Sequence, residues 1–125
     1  MKTSSAKAKG RRLQNWFVEA ATAALHLEPG DLRPAIMGET GEDIKRSPAG
    51  RRAFRYSVEC KNQESLSVWS AMKQAKQNAG LEDEPLLVFT RNHSEVYATV
   101  RASHFLELLA KIEYLEQDAA IERGG

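Results

Sequence analysis

Residues 54–61 read Phe54-Arg55-Tyr56-Ser57-Val58-Glu59-Cys60-Lys61, and the fold turns on them. Phe54, Tyr56, Val58 and Cys60 alternate with Arg55, Ser57, Glu59 and Lys61. That period of two belongs to a β-strand, whose successive side chains leave on opposite faces. One face is apolar, and the other is wholly polar and is expected to lie outside the core. Glu59 and Lys61 therefore point the same way.

Downstream, Val68, Met72, Ala75 and Ala79 share one face of a helix expected over residues 66–79, with Gly80 as its stop. Pro85-Leu86-Leu87-Val88-Phe89-Thr90 is nearly continuous in apolar residues, the pattern of a strand covered on both faces. Arg91-Asn92-His93-Ser94 is a turn, and residues 95–101 return as the second strand of a hairpin. Ser103 is placed to cap a last helix whose apolar stripe is Phe105, Leu108, Leu109 and Ile112. Upstream, Pro34, Gly38, Gly41, Pro48 and Gly50 mark turn-rich ground with room for short strands near residues 33–37 and 43–46. Before it, Leu13, Trp16, Phe17, Ala20 and Ala24 recur at helical spacing and stop ahead of Pro29-Gly30. The order α-β-β-β-α-β-β-α predicts an α/β fold with a central mixed β-sheet flanked by helices.

A chain of 125 residues suits one domain with a single core, and no repeat divides it. The expected organisation is a flexible basic N-terminal arm over residues 1–10, a folded domain over 11–118 and a frayed tail over 119–125. With 42% hydrophobic and 28% charged residues the composition is that of a globular protein. No apolar run approaches the roughly 18 residues a membrane span needs, and the basic start lacks the apolar core of a secretory signal. A cytoplasmic location is expected. Cys60, the lone cysteine, permits no internal disulfide and no zinc site with two thiolates. Charge is segregated: residues 1–61 carry 12 Lys/Arg against 7 Asp/Glu, and residues 62–125 carry 6 against 10. The basic half is where a phosphate backbone would be held by release of counterions.

Gly41-Glu42-Asp43-Ile44 precedes Val58-Glu59-Cys60-Lys61, with fifteen residues between Asp43 and Glu59. Hydrolysis of a phosphodiester requires neutralised nonbridging oxygens, an activated water and a stabilised leaving oxygen, all of which a divalent metal supplies. Mg²⁺ takes hard oxygen ligands and few from protein. Asp43, Glu59 and the backbone carbonyl of Cys60 would suffice, with Lys61 placed to polarise the attacking water.

This pattern resembles the PD-(D/E)XK nuclease superfamily, and within it the compact archaeal-type Holliday junction resolvases and their phage-encoded relatives. Further features carry the likeness. The basic Lys9-Gly10-Arg11-Arg12 opens a helix bearing Glu19, Glu59-Cys60-Lys61-Asn62 leads to a helix begun by Leu66-Ser67-Val68-Trp69 and containing Gln74, and an apolar strand closes on Phe89-Thr90-Arg91-Asn92. The resemblance covers residues 7–110. It implies a restriction-endonuclease-like core and a homodimer that nicks opposed strands of a four-way DNA junction, leaving 5′ phosphates. Mg²⁺ is the implied cofactor, with Mn²⁺ able to substitute, in a bacterial, archaeal or phage-infected cell. It also implies that Asp43 and Glu59 bind the metal, Lys61 is the catalytic cation, and Glu19 and Gln74 assist. The first motif reads Gly-Glu-Asp rather than Pro-Asp, which leaves Glu42 open beside Asp43; Asp43 is preferred because Glu42 is one residue out of phase.

Lys7, Lys9, Arg11, Arg12, Arg51, Arg52, Arg55 and Arg91 are the candidate phosphate contacts. Each assignment has a plainer counterpart. Glu19 sits at the border of its helix's apolar stripe, where a solvated glutamate or a partner for Arg12 is equally at home. Gln74 reads equally as a surface glutamine, and Trp16 and Trp69 as packing or dimer residues. His26, His93 and His104 share no ligand spacing and read as surface residues. Three rivals remain: a repair or restriction nuclease of the same fold, a noncatalytic DNA-binding protein, and a protein-interaction module built on the last helix.

Overall fold

The computed structural model describes residues 3–124. Their order is α1 (Thr3–Ala24), β1 (Leu32–Pro34), β2 (Ile44–Arg46), α2 (Pro48–Ala53), β3 (Tyr56–Asn62), α3 (Val68–Asn78), β4 (Glu84–Thr90), β5 (Tyr97–Thr99) and α4 (Ala102–Gly124). The α/β expectation holds, with two small sheets in place of one. β3 and β4 run parallel with Cys60 opposite Val88, and β5 returns antiparallel with Ala98 opposite Val88. β1 and β2 form a separate antiparallel pair of three residues each. That pair abuts β3 through the Asp43 N–H, which donates to the Val58 carbonyl at 2.9 Å. Pro34 ends β1, and a proline brings no ladder donor, so the pair stays short.

The alternation in β3 sorts the interior into two layers. Val58 and Cys60, with Leu86 and Val88 of β4, meet Leu13, Leu32, Ile44 and Phe54 in one core, against which Phe17, Val18 and Ala21 of α1 pack. The opposite face carries Ser57, Glu59 and Leu87 beneath α3, whose Ala71 and Ala75 are buried. Here the expectation of a polar face outside the core is corrected: Ser57 is 0% and Glu59 only 2% exposed. Parallel strands need a crossover, and the crossover helix lies over this face. Each fully buried aliphatic such as Leu87 contributes about 1.5–3 kcal/mol. Arg46, its side chain fully buried, joins β2 to the turn before β4 by a bidentate pair with Asp83 at 3.0 and 2.8 Å and donates to the Phe54 carbonyl at 3.0 Å.

Four local expectations are revised. Residues 3–10, expected as an arm ahead of the folded domain, are helical and begin α1; Ala and Lys favour helix, and the Asn62 side chain holds the Lys9 carbonyl at 3.0 Å. Met1 and Lys2 of that arm lie outside the described residues. The inward row of α1 is buried Leu13 with partly buried Phe17, Val18 and Ala21, while Trp16 is 49% exposed and Ala20 and Ala24 are exposed. Residues 48–53, read as turn, form α2. Ser47 caps it by accepting from the Gly50 N–H at 3.0 Å, and Pro48 stands in its first turn. Finally, α4 continues through residues 119–124, expected to fray, and Ser103 lies inside its first turn rather than capping it; Gly125 lies outside the described residues. Among the described residues no helix is long and apolar enough to cross a membrane.

Candidate active site

Asp43 stands immediately before β2, at the end of a loop whose Gly38 and Gly41 adopt φ of 89°, a left-handed turn that glycine enters without strain. Its backbone is held on both sides. The Ala35 N–H donates to the Asp43 carbonyl at 2.8 Å, and the Asp43 N–H donates to Val58 at 2.9 Å. Its carboxylate Oδ2 accepts from the Cys60 N–H at 2.8 Å, which lays the side chain along the edge of β3. Glu59 comes to the same place from the middle of β3, where the Asp43 carboxylate acts on it. Glu59 Oε2 is buried with no hydrogen-bond partner.

Two carboxylates this close cannot both hold a negative charge cheaply out of water. Burial, and then the Asp43 charge, push the Glu59 carboxyl up to about 7, against the opposing pull of Lys61. Asp43 is also raised, by burial first, while the Cys60 N–H, Lys61 and Lys45 work the other way. Lys61, two residues along on the same strand face and partly buried, is thus the cation that both carboxylates feel.

An open cleft of about 740 Å³ lies before the pair, walled by the Glu39–Gly41 loop and by Ser70, Lys73, Gln74 and Gln77 of α3. Glu39 fastens the loop: Arg33 grips its carboxylate at 2.8 and 2.9 Å and the Ile36 N–H donates to it at 2.8 Å. Its carboxyl is held down to about 2, first by the Arg33 hydrogen bond. Gln74 therefore does join Asp43 and Glu59. Lys73 and Gln77 of the same helix border it as well. The buried row of α3 is Ala71 and Ala75, which rotates the helix relative to a face built on Met72 and Ala79. The two alanines four residues apart were the available signal.

Asp43, and not Glu42, borders the cleft; Glu42 pairs instead with Lys45 at 3.4 Å. The Cys60 thiol sits in the opposite core and is pushed far up by burial, so only its backbone is on the cleft side. Glu19 is not brought to the site. It is exposed and, at about 100° per residue, lies roughly 180° from the buried row of α1.

Of the basic residues, Lys7, Arg11 and Arg12 are exposed along α1, whereas Lys9 is buried and its backbone is tied to Asn62. Lys9, 7% exposed, thus presents little surface to a phosphate. Arg51, Arg52 and Arg55 are exposed ahead of the N-terminal end of β3, where Arg51 and Arg55 stand 3.9 and 3.8 Å from Asp83 and Glu82. Arg91 is exposed beyond β4. His104 is not a free surface residue: it lies 2.6 Å from the Tyr56 hydroxyl. Trp69, 89% exposed, is not a packing residue within this chain.

The chain matches no protein-family model, no curated protein and no solved structure.

Among the described residues no three His, Cys, Asp and Glu side chains cluster as a metal cage. A pair of carboxylates with one oxygen unpartnered still fits a hard cation that draws only a few ligands from protein and fills the rest from water and phosphate. It does not fit a structural zinc site, which is closed by four nitrogen or sulfur donors.

Proposed function

We propose that the protein is a divalent-metal-dependent DNA endonuclease of the PD-(D/E)XK type, with a restriction-endonuclease-like core, acting as a homodimer on four-way junctions. The observation that carries the reading is the pairing of partly buried Asp43 with buried Glu59, with Glu59 Oε2 left without a partner and Lys61 acting on both. A buried carboxylate with an unfilled acceptor calls for a cation. Asp43 and Glu59, with the Cys60 carbonyl, would hold Mg²⁺, or Mn²⁺ in its place. Bound there, the ion supplies neutralisation of the phosphate oxygens and an activated water. Lys61 steadies negative charge developing at phosphorus. Gln74 orients solvent or phosphate from across the cleft, and Lys73 attracts the backbone. Lys7, Arg11 and Arg12, with Arg51, Arg52, Arg55 and Arg91, contact phosphates at a distance, which positions a duplex without reading its sequence. Such an enzyme acts in the cytoplasm, where cellular or phage DNA recombines.

Cleavage of an end-labelled four-way junction beside a linear duplex of the same sequence tests this. Paired nicks on the junction are expected with Mg²⁺, lost in EDTA and in Asp43→Asn and Glu59→Gln, with binding retained. Equal cutting of both substrates would keep the nuclease and discard junction selectivity. Binding without cutting in every protein would leave a noncatalytic DNA-binding protein.

A further inference from the structure

Helix α4 is 23 residues long, yet none of its residues is buried. Among the described residues its hydrogen bonds to the body lie at its root, where Arg101 grips Glu84 at 2.6 Å and His104 meets the Tyr56 hydroxyl, and Leu108 and Lys111 border an open cleft over the start of β4. A lone helix gains little from propensity and owes its stability to packing of an apolar face. Such a face is present. Phe105, Leu108, Ile112, Leu115 and Ala119 follow one another at intervals of three, four, three and four, the a and d positions of a heptad. Phe105, Ile112 and Leu115 are 52%, 52% and 62% exposed.

We propose that this row pairs, in parallel, with the same row of a second copy of the chain. Charge decides both the occupant and the direction. In a parallel pair each g residue faces the e residue of the following heptad on the other helix. Lys111 at g then meets Glu116 of the partner subunit, and Asp118 at g meets Arg123 of the partner subunit. The two-fold axis repeats both pairs. An antiparallel pair with Ile112 opposite Leu115 keeps Lys111 against Asp118 of the partner subunit but leaves Glu116 facing Leu109 and Arg123 without an acid, so it makes two of the four ion pairs of the parallel arrangement. A second copy supplies the acid and the base of each of these pairs, and the apolar row ends before Glu122, the next d position. Leu106, Tyr114 and Ile121 lie off the row on the far side of α4 and take no part. The inference deepens the dimeric part of the nuclease reading and rests on it for the count of two copies, whereas a mass measurement reports pairing whether or not the protein cuts DNA.

Sedimentation equilibrium at micromolar concentration tests it, one chain being 13.9 kDa. Twice that mass is expected for the unaltered protein. Ile112→Glu, at an exposed position that leaves the folded body intact, is expected to raise the dissociation constant on the order of a hundredfold, because it buries an unpaired carboxylate on each helix. Tyr114→Gln, off the row, is expected to leave it unchanged. Lys111→Glu is expected to weaken pairing by roughly fivefold, with recovery when Glu116→Lys is added. Ala119→Cys is expected to cross-link on oxidation, since only the parallel arrangement sets residue 119 against itself. A monomeric unaltered protein, a dimer that survives Ile112→Glu, or failure of Ala119→Cys to cross-link would each overturn the proposal.

Discussion

Glu59 carries the sharpest tension in the molecule, a carboxyl on a buried strand face beside a second carboxyl, with one oxygen unpartnered. Its ordinary value near 4.5 is raised to about 7 in the fold. A group raised on folding stabilises below its unfolded value and loses that contribution as pH rises through the folded one. Metal-free protein is therefore expected to lose roughly 2–3 kcal/mol between about pH 4.5 and pH 7 from this residue alone. Thermal melts in EDTA across that range check the sign, and Mg²⁺ should recover much of the loss at pH 8. Glu59→Gln removes the charge and keeps the shape. It should raise the metal-free melting point at pH 8, by about 1–2 kcal/mol in stability, while abolishing cleavage. A variant that loses both would point to a packing role.

Helix α3 determines how this residue is enclosed. Ala71 and Ala75, 3% and 1% exposed, let it settle close on the strands, so that Gln74 and Lys73 overhang the cleft. Ala75→Leu inserts three carbons where no space exists and should cost about 1–3 kcal/mol, read as a lower denaturant midpoint, with weakened cleavage because Gln74 is displaced. Helix α2 has a similar constraint. A Cβ on Gly50 would run into the Asp31 carbonyl, backbone that cannot swing aside. Gly50→Ala is therefore expected to destabilise by about 2 kcal/mol or more. These two elements also show where local reading stops. Residues 66–79 were legible as a helix from their period, but its rotation was not, because Met72 and Ala71 compete for the core and the strands beneath decide between them. Residues 48–53 were read as turn because Pro48 and Gly50 usually mark one; Ser47 as a cap turns the same proline into a helix start.

Across the whole molecule, the two small sheets are joined by Arg46 and Asp83, residues with 36 others between them, and by the Asp43 N–H on Val58. Asp83→Ala strands the Arg46 guanidinium in the interior and is expected to cost about 3–5 kcal/mol. Arg46→Met combined with Asp83→Leu should recover most of that, because an apolar pair of similar volume needs no desolvation. Equilibrium unfolding of the single and double variants measures the difference. Should the single change prove harmless, the two sheets would be held chiefly by the shared core around Leu32 and Ile44.

The sequence by itself determined which side chains travel together. The alternation of residues 54–61 put Glu59 and Lys61 on one face, the loop glycines set Asp43 before its strand, and the apolar run at 85–90 announced a covered strand. Those are local facts, settled by a period of two or of 3.6 residues. Tertiary structure alone decided what lies over each face. It buried Ser57 and Glu59 under α3, turned Glu19 away, packed Lys9 against the end of β3 and left the small antiparallel pair beside the larger sheet. Burial depends on residues far along the chain, and so does the proton affinity of Glu59, which periodicity cannot express.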